Sequence, residues 1–130
     1  MFAGHALQIV ILLALIEYLV LGVMVGRARG TYGVEAPATT GNPDFERIYR
    51  VHVNTLEALI VFLPAVWIFS MVVHYKTAVI LGLLFLIARI IYARGYMSAA
   101  SKRGTGAALS ALINAILVLG SLIAIGIRMI

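Results

Sequence analysis

Four long apolar runs, separated by short polar stretches, decide what this chain can fold into. They are centred on "ALQIVILLALIEYLVLGVMV", "ALIVFLPAVWIFSMVV", "TAVILGLLFLIARIIYA" and "AALSALINAILVLGSLIAIGI". A bilayer core accepts a helix of about 17–25 mostly apolar residues. The 130 residues are 63% hydrophobic, only 12% charged, with a mean hydropathy of +1.07. A soluble domain carries about 25% charged residues. The reading is an all-α integral membrane four-helix bundle in one domain, with helices over about 2–26, 44–73, 77–97 and 105–128. The first run lacks the basic start of a signal peptide and is read as a retained helix. The net charge of +5 sits between apolar runs and builds no basic helix, so a nucleic-acid partner is not expected. There is no cysteine, hence no disulfide, thiolate metal site or protein thiol nucleophile. His5, His52 and His74 have no metal-ligand spacing.

The basic residues set an orientation. Arg27, Arg29, Arg47, Arg50, Arg89, Arg94, Lys102 and Arg103 lie in or near the stretches after the first and third runs; Lys76 and Arg128 are the only two of the ten at the other side. By the positive-inside rule, loops 27–43 and 98–104 are expected to be cytoplasmic. Pro37, Gly41 and Pro43 break the first of these loops, and Asp44 is expected to cap the second helix, with Arg47 in its first turn.

The second helix opens with "FERIYRVHVNTLE", which is odd in a membrane segment. With Arg47 at 0° and 100° per residue, Arg50 falls at about −60°, Asn54 at about −20° and Glu57 at about −80°. His52 points away, at about 140°. A charge at membrane depth costs about 2.5–3.5 kcal/mol unless paired or wetted. The stripe therefore faces a neighbouring helix, a subunit or a polar cavity, and a purely structural polar network remains an alternative. Arg89, Tyr92 and Tyr96 share a face of the third helix at i, i+3 and i+7. Arginines clamp carboxylates, a carboxylate holds an ammonium, and tyrosines donate or stack. Such a cluster fits a small zwitterion with excess negative charge. Glutathione is one: two carboxylates, one ammonium, and the thiol that this chain lacks, which a nearby arginine would hold as the thiolate.

"FERIYRVHVNTLE", the preceding "APATTGNPD" and "ARIIYARGYMSAASKR" resemble the membrane-associated proteins in eicosanoid and glutathione metabolism, the MAPEG family. The resemblance implies a homotrimer of four-helix subunits that binds glutathione as co-substrate between subunits, near the cytoplasmic side. By position it assigns glutathione contacts to Arg50, Asn54, Glu57 and Tyr92, further contacts to Arg29, Tyr96 and His52, and thiolate stabilisation to Arg103. Ala58 stands where the leukotriene-forming branch has a tyrosine, and Gly30 where it has a second loop arginine. No long extension is expected after the fourth helix.

The implied activity is a glutathione transferase, with possible peroxidase activity, acting on lipophilic electrophiles or lipid hydroperoxides that enter from the membrane lipids. Two other classes stay open: a non-catalytic, lipid-presenting protein of the same family, and a small multidrug transporter built around Glu17. Glu17 is expected to pair with a polar group on another helix, Ser110 and Asn114 to donate hydrogen bonds between helices, Pro64 to kink the second helix, and Trp67, His74 and Tyr75 to anchor at the interface.

Overall fold

The computed structural model describes residues 2–130. Four long helices carry the chain: α1 (Ala6–Tyr32), α2 (Pro43–Val72), α3 (Tyr75–Ser98) and α4 (Gly104–Met129). Single 3-10 turns, Phe2–His5 and Ala100–Arg103, precede α1 and α4. Each helix is long and apolar enough to cross a membrane, with mean hydropathies of 2.6, 2.0, 1.9 and 2.4 over the best windows. Large apolar side chains such as Leu12, Leu19, Ile60, Ile80 and Ile123 point outward, as lipid contact requires.

The helices meet around small and aromatic side chains. Leu7, Val10 and Ala14 of α1, Phe62 and Val66 of α2, Phe85 and Ala88 of α3, and Leu117 of α4 form one buried cluster. Phe62 and Phe85 lie face to face at its centre, ring centroids 3.9 Å apart. With lipid as apolar as leucine, helices associate in membranes through close packing and interhelical polar bonds. Both are present. Gly106 of α4 sits against the backbone of Tyr92, and Gly82 of α3 against Val10.

Side chains complete the helix ends, where backbone groups lack intrahelical partners. The expected cap at Asp44 is replaced by Asn42. Its Oδ1 accepts from Asp44 N (2.9 Å) and Phe45 N (3.1 Å), with Pro43 in the first helical position. Asparagine is the stronger solution here, because Pro43 has no N–H to satisfy and suits only the first turn.

The first helix runs past residue 26 to Tyr32, because arginine and alanine are good helix formers and the stop is Gly33. Gly33 has φ +66°, and Val34 N–H returns to the Arg29 carbonyl at 3.1 Å. His74 caps α3, its Nδ1 accepting from Thr77 N at 3.3 Å. Tyr75 accepts from Leu7 N (3.1 Å), and Arg128 donates to Val72 O (2.6 Å), pinning one end of the bundle. α2 is one continuous helix through Pro64.

A β-carbon at position 106 would collide with the Tyr92 backbone, whereas one at position 126 meets nothing within 4 Å. Gly106→Ala is therefore expected to destabilise the bundle by about 1–3 kcal/mol, as overpacking does. Gly126→Ala should be neutral or mildly stabilising. Thermal unfolding of the two variants in detergent, side by side, checks the contrast.

Candidate functional site

The polar start of α2 separates into spent and unspent groups. Arg47 is spent: it pairs with Asp44, and its Nε donates to the Met97 carbonyl (3.2 Å) at the C-terminal end of α3. A cation there satisfies an open carbonyl and the negative end of the helix dipole. Arg50 and Glu57 are exposed, and among the described residues neither takes part in an ion pair. Between them Asn54 is half-buried. Its Nδ2 donates to the Tyr92 hydroxyl at 2.6 Å, joining the α2 stripe to α3.

From Tyr92 the site continues along α3 and into the turn that follows. The Tyr92 and Tyr96 rings are tilted against each other, centroids 5.7 Å apart. The Arg103 guanidinium lies 5.7 Å from the Tyr96 centroid. Arg103 reaches this place because the 3-10 turn folds back: Gly95 has no β-carbon and lets the Lys102 carbonyl close on α3. Arg50, Asn54, Glu57, Tyr96 and Arg103 thus follow one surface made by α2, α3 and the turn before α4, with Tyr92 buried behind Asn54. Its chemistry is a carboxylate, two guanidinium groups and the hydroxyl of Tyr96, with the bonded Tyr92 hydroxyl behind them.

Arg29 and His52 lie elsewhere. Arg29 Nη1 donates to Ala38 O (2.7 Å) and Val34 O (3.3 Å), and its guanidinium lies 5.0 Å from the Phe45 centroid. It holds the loop between α1 and α2. His52 stacks on Tyr18 of α1, centroids 4.5 Å apart, with Nε2 3.4 Å from where a Gly22 β-carbon would stand. Within one subunit, Arg29 is turned to the α1–α2 loop and Phe45, and His52 to α1, rather than to Asn54 and Tyr92.

Beneath Tyr92 is a polar layer whose bonding runs between helices. Arg89 is 5% exposed, the only charged side chain among the buried described residues. Its Nη2 donates to Thr55 Oγ1 (2.8 Å), its Nη1 reaches Ser110 Oγ (3.5 Å), and its Cζ lies 4.1 Å from the Tyr92 centroid. Glu17 of α1 is half-buried within Coulombic reach of it. Thr55 follows Asn54 on the inner side of α2, and no sequence pattern ties it to Arg89, 34 residues away on α3.

Ser110 accepts between helices rather than donating. Its own proton goes to Gly106 O (2.8 Å), the usual back-bond of a helical serine. Asn114 does donate between helices, to Ala58 O at 3.2 Å. Among the described residues no group of three His, Asp or Glu side chains could hold a metal. A separate apolar crevice of about 340 Å³ opens between α2 and α4, lined by Val61, Pro64, Ile68, Val118 and Leu122. Its one polar side chain, Ser121, donates to Leu117 O, so the crevice offers nothing to a zwitterion.

The chain was compared with known families and curated proteins. The family model described as "MAPEG family" matches residues 7–123. An uncharacterized protein of Synechocystis sp. is 54% identical over 113 residues, covering 87% of this chain and 82% of the relative. Microsomal glutathione S-transferase 2 of Homo sapiens is 41% identical over 95 residues, 73% of this chain and 65% of that protein. Leukotriene C4 synthase of Bos taurus is 42% identical over 76 residues, 58% and 51% respectively. The match thus spans less than two thirds of these last two relatives.

The Arg29 geometry gives a structural expectation. Arg29→Ala removes both bonds to the α1–α2 loop, and hydrogen bonds from a charged donor contribute about 1.5–3 kcal/mol when desolvated and less when exposed. Amide exchange over residues 34–41 should rise by about ten-fold, while α3 and α4 stay unchanged, as read by hydrogen–deuterium exchange.

Proposed function

The chain belongs to the MAPEG family, and from that premise we propose that it is a membrane-bound glutathione transferase with peroxidase-like capacity toward lipophilic substrates. One observation carries the reading. An arginine and a glutamate without intrasubunit ion-pair partners, Arg50 and Glu57, flank the Asn54–Tyr92 hydrogen bond on a surface that continues to Arg103. Leaving two charges unpaired beside an apolar segment is costly unless a polar ligand or a second subunit completes them.

Glutathione supplies the matching groups. A carboxylate goes to Arg50, the ammonium to Glu57, and polar peptide groups to Asn54 and Tyr96. The sulfur lies toward Tyr92 and Arg103, where a guanidinium favours the thiolate. The thiol proton leaves to solvent. The sulfur then forms a carbon–sulfur bond as the electrophile's leaving group departs or its ring opens. With a lipid hydroperoxide, the oxygen–oxygen bond breaks, two glutathione thiols are oxidised to one disulfide, and the products are the lipid alcohol and water.

The functional unit in this reading is a homotrimer, with the basic loops on the cytoplasmic face and the four helices acting as one domain. Arg29 stands on α1 over Phe45, and His52 stacks on Tyr18 of α1, both away from the Asn54–Tyr92 bond. A ligand between two subunits would meet the stripe of one and the α1 side of the next, which gives these two residues a role that one subunit alone does not allow. The lipophilic substrate comes from the bilayer, since the outward helix faces are apolar.

Arg50→Ala should weaken glutathione binding by about ten- to a hundred-fold, the loss of a charge-assisted pair. Arg103→Ala should keep glutathione affinity within about three-fold and lower turnover by about a hundred-fold, as for a group that acts on developing charge. Calorimetry and a conjugation assay on detergent-solubilised protein check both. Wild type and Arg50→Ala that were alike in binding no glutathione would overturn the reading. Binding without turnover of any electrophile would move the protein to the lipid-presenting class.

A further inference from the structure

The buried cation is placed for an effect beyond clamping helices. Tyr92 is 3% exposed; its hydroxyl accepts from Asn54 Nδ2 at 2.6 Å, so its own proton remains for an acceptor at the Asn54 edge of the ring. The Arg89 guanidinium carbon is 4.1 Å from the Tyr92 centroid, on the inner side, within ordinary cation–π range. Thr55 of α2 and Ser110 of α4 tether it there from opposite flanks. Its Nε is buried without a partner. A guanidinium placed only to collect hydrogen bonds would not leave a donor unused in a dry interior. Contact with the ring therefore shares in setting its position.

We propose that Arg89 is a positioning residue for the Tyr92 hydroxyl: held by Thr55 and Ser110 under the ring, it fixes the ring and strengthens its O–H as a donor to the anionic group of the ligand. The guanidinium draws electron density from the π-face toward itself, which makes the phenolic hydrogen more positive. In the low dielectric beneath the site this field is little screened. Glu17 of α1 is the counter-charge within reach of Arg89 and partly offsets its field. Arg89 is held back from the ligand by its bonds to Thr55 and Ser110, which leaves the Tyr92 hydroxyl edge to meet it. The proposal rests on the glutathione reading and names a residue that the surface stripe omits.

A double-mutant cycle on the intact chain in detergent separates this from a merely structural clamp. Arg89→Leu, Tyr92→Phe and the double variant are compared for thermal unfolding, glutathione affinity, and turnover with an aromatic electrophile. Losing a desolvated cation–π contact corresponds to about a ten-fold fall in turnover for Arg89→Leu, with KM for glutathione within about three-fold. In the Tyr92→Phe background the same change should cost less than about two-fold, since the hydroxyl it acts through is gone. Arg89→Lys, which keeps the charge under the ring, should recover part of the loss.

Additive effects, or full turnover by a folded Arg89→Leu, would overturn the proposal and leave Arg89 a clamp. If Arg89→Leu does not fold, Thr55→Val takes its place: it removes one tether and keeps the charge. Its smaller loss of turnover should vanish in the Tyr92→Phe background, and persistence of that loss overturns the proposal as well. A wild type that binds no glutathione sinks the functional reading itself, and this inference with it; binding in wild type with additive variants sinks only this inference.

Discussion

Among the described residues, the guanidinium of Arg89 is the one charged side chain that is buried. A chain of apolar helices has little to choose between rival packings when the surroundings are also apolar. A buried cation changes that. It must be met by polar groups, and the groups that meet it, Thr55 and Ser110, come from the helices on either side. Removing one partner of a buried charge is far costlier than exchanging one leucine for another. The relative rotation of α2, α3 and α4 is thus fixed by polar chemistry as much as by shape, and Tyr92 is fixed with it.

The surface above that layer has the opposite character. Arg50 and Glu57 are left without an intrasubunit ion pair, although the same helix end spends Arg47 on Asp44 and on a carbonyl of α3. The chain does satisfy polar groups where structure requires it: Asn42, His74, Tyr75 and Arg128 each complete a helix end. Against that background, two charges that make no ion pair among the described residues, beside a bonded Asn54–Tyr92 pair, stand apart as groups the subunit does not use for its own packing. The polar layer and the open surface are also adjacent, sharing Tyr92, so the rigidity of one is available to the other.

Hydrophobic run lengths were enough to read four helices, because membrane-depth backbone has no other way to satisfy its hydrogen bonds within one segment. The α2 stripe was equally legible, since 100° per residue is a property of the helix and not of the protein. Helix ends were less so. Asp44 and Asn42 are both good caps, and only the backbone shows which one the turn selects. The first apolar run ends near residue 26 while the helix continues to Tyr32, so leaving the membrane and leaving the helix are separate events. Which stripe residues are occupied could not be read from α2 alone: the partners of Arg47 and Asn54 lie on α3, 50 and 38 residues away. The same holds for Arg29 and His52, whose partners sit on the loop and on α1. Family resemblance supplied their association with the site, and a single subunit gives them other neighbours.

The contact of Gly106 with Tyr92 acts as a datum for the fourth helix. Arg103 lies just before this point and the lipid-facing Leu112, Leu119 and Ile123 lie beyond it. Arg103 and the lipid-facing positions are therefore separated by a fixed mark. Substitutions past that mark can reshape the apolar surface without shifting the arginine before it. A fold with this layout lets the apolar length of α4 vary while its polar end keeps the same coordinates.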